Sequence, residues 1–235
     1  MKKRLLAFLL AVSIAVSMLS LPASAAGNAN TAVQLSITLN GMDSAQTAAL
    51  NAVVTRGAFA RMLVSYSTFR ESVGSQGAVG TLYKDLPGTS AYAPYVRIAV
   101  QQGWLSGYTD GTFRPDNPIT LAEGATIALG LLGYTAEDYS GAYPTPQLAL
   151  YRSKGMDQGV SAQRASDSLT RQDAMYLFYN LMTANTKEGS VYVSQLGYSL
   201  NAAGELDLVG LINGEMQGPL VASGDWRSSI PFSLE

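Results

Sequence analysis

The chain has no cysteine and no histidine among its 235 residues. Without cysteine the fold uses no disulfide, carries no lipid-anchor thiol and holds together by packing alone. Without histidine, a Ser-His-Asp triad, a Cys-His dyad and the usual zinc sites are excluded together. Charge is sparse: Asp, Glu, Lys and Arg make up 14%, with 17 acidic residues against 15 basic ones. That balance leaves no basic excess to neutralise phosphates, so nucleic acid is not an expected partner. Beyond Leu19 no stretch is long and apolar enough to span a bilayer. No Gly-rich phosphate loop of the Walker or dinucleotide type occurs, and no cofactor is expected. Leu86-Pro87-Gly88-Thr89-Ser90 comes near a Leu-Pro-x-Thr-Gly sorting signal, but it lies mid-chain and ends in Ser.

The first residues read as an address. Lys2, Lys3 and Arg4 form a basic start, an apolar run follows from Leu5 to Leu19, Pro22 breaks it, and Ala23-Ser24-Ala25 supplies small residues. This order predicts a secretory signal peptide over residues 1–25, cleaved after Ala25, and an exported chain. Cleavage removes three basic residues and no acidic ones, moving the formal charge from −2 to −5.

Internal repetition organises what remains. Tyr95 to Gln102 has helical spacing, with Val96, Ala99 and Val100 on one face, and Gly103 can end that helix in a left-handed conformation. Trp104 to Pro115 is rich in turn residues, Asp110-Gly111 above all. Thr120 then stands at an N-cap with Glu123 three residues on, a capping box opening a helix that runs to Leu132. The same order returns downstream. A helical stretch from Pro146 to Lys154 ends at Gly155, and Thr170 with Asp173 caps a further helix. Upstream, Thr55 opens a helix to about Ser65, while the first half of that copy, around Leu35 to Met42, reads as eroded. The three cap threonines are spaced by 65 and 50 residues, with a Ser- and Gly-rich insert (Tyr66 to Thr81) expected as a surface loop.

The pattern aromatic-x-Asp-Leu at Tyr83 to Leu86, Gly-Trp-Leu-x-Gly-Tyr-x-Asp-Gly-Thr-Phe-x-Pro at Gly103 to Pro115, and Ile-Thr-x-Ala-Glu at Ile119 to Glu123 resembles the S-layer homology repeat. The resemblance covers about residues 33–185 and divides them into a degenerate first copy at 33–82, a second at 83–135 and a third at 136–187. It implies a mainly α fold, with three repeats arranged as a pseudo-threefold prism around a three-helix bundle. It further implies non-covalent anchoring to a bacterial cell wall, by a secondary cell-wall polysaccharide, often pyruvylated, held in grooves between repeats. The family's Thr-Arg-Ala-Glu tetrad carries over as Thr55 and Arg56 in the first copy and as Thr170 and Arg171 in the third. A guanidinium suits a carboxylate because its planar fork matches two parallel hydrogen bonds. A helix N-terminus beside it adds partial positive charge and free amides. Trp104, Gly107, Asp110 and Gly111 complete the candidate polysaccharide-binding residues. Asp110 with Asp116 also admits a calcium reading, but calcium takes six to eight oxygens, the spacing of an EF-hand loop is absent, and a turn-stabilising role accounts for Asp110. The second copy departs from the pattern, with Leu121 where the Arg belongs and Ala91-Tyr92 where the family has a tryptophan; in the first, Gly57 and Ala58 replace Ala-Glu.

From about Glu188 the composition shifts to short alternating runs at Val191 to Val193, Gly197 to Leu200 and Glu205 to Val209, with a turn at Asn201 to Gly204. Residues 188–235 are therefore expected as a small β-rich piece, or the start of a longer region. Two other functions compete with anchoring. One is a structural surface-layer subunit that self-assembles without binding sugar. The other is a cell-wall hydrolase using paired carboxylates, for which Glu123 and Asp173 are already accounted for as caps.

Overall fold

The computed structural model describes residues 23–74, 80 and 82–217, and residues 1–22 of the expected leader and 218–235 of the tail lie outside them. Eight α-helices follow in order among the described residues: α1 (Ala23–Thr38), α2 (Ser44–Thr47), α3 (Arg56–Ser65), α4 (Ala93–Gln101), α5 (Leu121–Leu131), α6 (Thr145–Ser153), α7 (Arg171–Thr183) and α8 (Leu208–Gln217). Short 3-10 turns lie at Arg70–Ser72, Ala136–Asp138 and Tyr192–Leu196, and among the described residues there is no sheet beyond isolated bridges. None of these helices is long and apolar enough to cross a membrane. The protein is mainly α.

Helices α3, α5 and α7 start at the predicted threonines. Thr120 and Thr170 each accept the amide three residues on, while Glu123 and Asp173 accept the threonine's own amide, closing both capping boxes. Thr55 caps Ala58 alone, since no acid stands at that third position. Just before the caps, three backbone hydrogen bonds form a closed ring. Val54 N donates to Leu169 O at 2.9 Å, Leu169 N to Ile119 O at 2.9 Å, and Ile119 N to Val54 O at 3.4 Å. Ile119 and Leu169 are fully buried and Val54 nearly so, which shields the ring from competing water.

The outer helices follow the same rotation: α4 packs on α3, α6 on α5 and α1 on α7. Between α3 and α7 the core is aromatic, with the Phe178 ring centroid 5.1 Å from Phe59 and 5.0 Å from Tyr66.

Three expectations change. Where the repeat pattern reads as eroded the chain is nonetheless helical: α1 is a 16-residue helix whose Ala29, Ala32, Val33 and Ser36 are buried at helical spacing. The insert after Ser65 begins inside the protein. Tyr66 is fully buried, its hydroxyl 2.8 Å from the Ser36 hydroxyl, and burial pushes that phenol far above its usual range. Residues 188–217 are not β-rich. The expected strand at 191–193 is mostly a 3-10 turn, and 208–217 is a helix. The turn at Asn201 to Gly204 does form, closed by a Leu200–Leu206 bridge. The 3-10 turn packs on α7 and α8 packs on α1, so this part of the tail shares the one hydrophobic core.

Candidate functional site

The start of each cap helix lies against a neighbouring segment of chain. Arg56 N and Gly57 N donate to Asn117 O and Pro115 O, both at 2.8 Å; Leu121 N and Ala122 N to Asp167 O and Ala165 O at 2.9 and 3.1 Å; Arg171 N and Gln172 N to Ala52 O and Leu50 O at 2.8 and 2.9 Å. The third helical amide of each goes to its cap threonine. The free amides expected for an anion are therefore engaged at all three helix starts. Any charge recognition there falls to side chains.

At the first junction Arg56 is turned inward and only 6% exposed. Its Nε donates to Phe113 O at 3.1 Å and one terminal nitrogen to Ser106 O at 2.8 Å. The other lies 3.7 Å from Glu123 Oε1, and the guanidinium stands 4.8 Å from the Phe113 ring centroid. Arg56 thus ties α3 to the loop between α4 and α5. That loop is itself closely held. Asp85 accepts the amides of Phe113 and Arg114 at 2.8 and 2.7 Å, which gives the aspartate of the aromatic-x-Asp-Leu motif a purpose that sequence reasoning missed. Asp110 accepts the Thr112 amide and hydroxyl and pairs with Arg114 at 2.9 Å. The Thr112 hydroxyl first, then the Arg114 guanidinium, hold the Asp110 carboxyl down at about 2. Arg114 in turn lies 3.9 Å from the ring centroid of the exposed Tyr108.

Gly111 takes φ +82°, as the Asp-Gly turn requires. Gly107 has a different reason: a Cβ there would lie 2.1 Å from the Tyr83 ring and 2.9 Å from Thr112 O, while its amide donates to the Tyr83 hydroxyl. Gly107→Ala is expected to lower stability by about 1–3 kcal/mol, because ring and backbone must both move. A reduced urea midpoint with an unchanged slope would show it. Close approach also explains Gly57, where a Cβ would meet the Tyr92 ring at 2.6 Å.

The second junction carries no charge at the corresponding place, because Leu121 is buried in the core. Asp173, facing that region from α7, is 1% exposed and accepts Ser161's amide at 2.6 Å and its hydroxyl at 2.8 Å. The third junction differs from both. Arg171 is half-buried, and among the described residues its side chain makes one hydrogen bond, a long 3.5 Å contact with Ala49 O. Ala58 stands in α3 at the position that Glu123 has in α5, and among the described residues the Arg171 guanidinium has no ion pair. The predicted residues are consequently divided. Arg56, Trp104, Gly107, Asp110 and Gly111 gather around one loop, whereas Thr170 and Arg171 lie apart from it, against residues 49–52. Trp104 is half-buried, edge-on to Phe69 at 5.6 Å, and lines a pocket along α5.

Residues 82–125, comprising this loop, α4 and the start of α5, match the family model described as the S-layer homology domain. Over 79 residues, 34% of the chain, it is 40% identical to Cell surface glycoprotein 1 of Acetivibrio thermocellus. It is 23% identical over 135 residues (57% of the chain) to the Middle cell wall protein of Brevibacillus brevis. With the Surface layer protein of Brevibacillus choshinensis it shares 27% identity over 108 residues, 46% of the chain. The chain spans only 3%, 12% and 9% of the lengths of these three relatives.

Proposed function

Because the chain carries an S-layer homology domain and is exported to the cell wall or surface, we propose that it is a non-catalytic anchor. It holds secondary cell-wall polysaccharide in a groove between repeats. On this reading α3, α5 and α7 form the central bundle of a pseudo-threefold prism, and the ring of hydrogen bonds at Val54, Ile119 and Leu169 is one apex. The closed rotation of ring and outer helices supports that arrangement.

The observation that carries the proposal is Arg171. A half-buried guanidinium whose one hydrogen bond among the described residues is 3.5 Å long retains most of its donors for a ligand. An anionic sugar substituent, such as a pyruvate ketal carboxylate, meets them in the bidentate geometry that makes Arg–carboxylate pairs strong. Arg56 has the same place in its copy, but its donors serve backbone carbonyls, and Leu121 offers none. The groove of Arg171 is thus the principal one.

The test is sedimentation of purified mature protein with cell walls that retain their secondary polysaccharide and with walls stripped of it by acid extraction. Wild type is expected to pellet only with the intact walls. Arg171→Ala should weaken pelleting about tenfold or more, the scale of a lost charge-assisted hydrogen bond, while melting within a few degrees of wild type. Equal failure of wild type with both wall preparations, taken from the producing organism, overturns the anchoring function. The loss of available charge at two of three junctions favours one alternative, a structural subunit that self-assembles. For that subunit, Arg171→Ala leaves assembly intact.

A further inference from the structure

Helix α1 has little to hold it by itself. Gly27, Asn28, Asn30 and Thr31 are poor helix formers. No acidic residue stands in its first turn and no basic one in its last, so no side chain complements its macrodipole. Cleavage after Ala25 leaves Ala26 to Thr38 and sets a new ammonium at the positive end of the helix. An isolated helix shorter than about 12–15 residues is marginal in water. Packing must therefore supply the rest, through the buried Ala29, Ala32, Val33, Leu35 and Ser36.

The surfaces that bury this face come from the far end of the chain. Helix α1 packs on α7 and α8, which begin at Arg171 and Leu208. A buried polar relay joins the same parts. The Ser36 hydroxyl lies 2.8 Å from the Tyr66 hydroxyl, and Tyr66 O accepts the Tyr192 hydroxyl at 3.0 Å. The remaining helix pairs are local in sequence, α4 on α3 and α6 on α5. The ring of hydrogen bonds before the caps needs nothing beyond Leu169. Loop-closure entropy places such contacts ahead of the long-range docking of α1.

We infer that α1 docks last, together with α8, and that this late docking gates removal of the leader during export. A chain that crosses the membrane leader first delivers α1 first and its supports last. Until Arg171 to Leu211 have crossed, the apolar face of α1 has nowhere to pack. The bond after Ala25 falls in the first turn of α1, and Ala29 in the next turn is already buried. A peptidase acts on opened backbone, so the docked helix must unwind before that bond can be cut. The undocked chain offers the bond and the folded chain withholds it. Its hydrolysis consumes one water and yields the Ala25 carboxylate and the Ala26 amino group, with no catalytic group from this chain. The gate does not depend on what the protein binds at the wall, so either idea can fail alone.

Pulse-labelling hydrogen exchange, read by mass spectrometry as the mature protein refolds from urea, tests the order. Amides of α3 and α5 should gain protection at least about tenfold sooner than those of residues 29–38. Protection of α1 together with α3 and α5, or before them, overturns the inference. Leu35→Ala tests the same order by kinetics, since Leu35 is fully buried. It should speed unfolding about tenfold or more and change the refolding rate by less than about twofold. Val33→Ala, a smaller loss from the same face, serves if that variant does not fold. Refolding slowed as much as unfolding is sped would place α1 in the nucleus and also overturn the inference. For the gate, preprotein in mild detergent is given signal peptidase, either folded beforehand or diluted freshly from urea. The folded form should lose its leader at least about tenfold more slowly. Equal rates would show that the folded chain leaves the bond open, and the gate would be lost.

Discussion

Arg56→Ala is expected to destabilise the protein by about 3 kcal/mol, chiefly through a buried carbonyl left without its donor and a buried guanidinium lost from its packing. The buried Phe113 O loses a donor at 3.1 Å, and Ser106 O, on an exposed residue, loses one at 2.8 Å. The ion pair contributes less. Its oxygen lies at 3.7 Å on a Glu123 side chain that is 37% exposed, and half-solvated pairs are worth under about 1 kcal/mol. An Arg56→Ala, Glu123→Gln double-mutant cycle separates these terms, with a coupling below about 1 kcal/mol expected. The melting temperature should fall by about 6–12 °C for a chain of this size. Arg56→Lys should recover less than half of that, because one ammonium does not span two diverging carbonyls as the guanidinium fork does. A melting temperature for Arg56→Ala within about 1 °C of wild type would show that Arg56 is not a structural tie and leave it free for ligand. Because Arg56→Ala weakens the fold, loss of wall binding in that variant is uninformative. Arg171 is the residue through which the anchoring proposal is tested.

The cap helices were legible in the sequence because their signals are local. Thr120 with Glu123 and Thr170 with Asp173 place acceptor and donor within one turn, where three-residue spacing alone brings them together. The Asp110-Gly111 turn was legible for the same reason, and Phe113 just after it is fully buried. What was not legible depends on distant partners. The carbonyls that hold Arg56 lie 50 and 57 residues away, so motif position alone made Arg56 and Arg171 look equivalent. Helix α1 was missed because, Leu35 apart, its buried face is built of Ala29, Ala32, Val33 and Ser36, residues that give only a weak apolar period.

A chain ending at Lys187 is expected not to form a stable fold, and this would be the largest effect of all. The misread strands explain why. Val191 to Val193 look like alternation over so short a run, yet in a helical turn Tyr192, Val193 and Leu196 all reach the core. Leu206 and Leu211 follow them, so truncation removes five buried apolar side chains. At about 1.5–3 kcal/mol each, the loss approaches or exceeds the about 5–15 kcal/mol by which a whole domain is stable. Specific contacts go with them. The Tyr192 hydroxyl donates to Tyr66 O at 3.0 Å across 126 residues of sequence, and the Arg70 guanidinium lies 5.5 Å from the Tyr198 ring centroid. Truncation would therefore expose the α7 face and loosen the segment after α3 together. Circular dichroism and limited proteolysis of the 26–187 fragment check this, with a shallow melt and rapid cleavage expected. A cooperative melt near that of the full chain would instead make residues 188–217 a dispensable cover. A wall-binding unit defined by repeat boundaries at 187 would then be sufficient. If truncation does unfold it, the smallest functional anchor must include α8, whatever further modules the polypeptide carries.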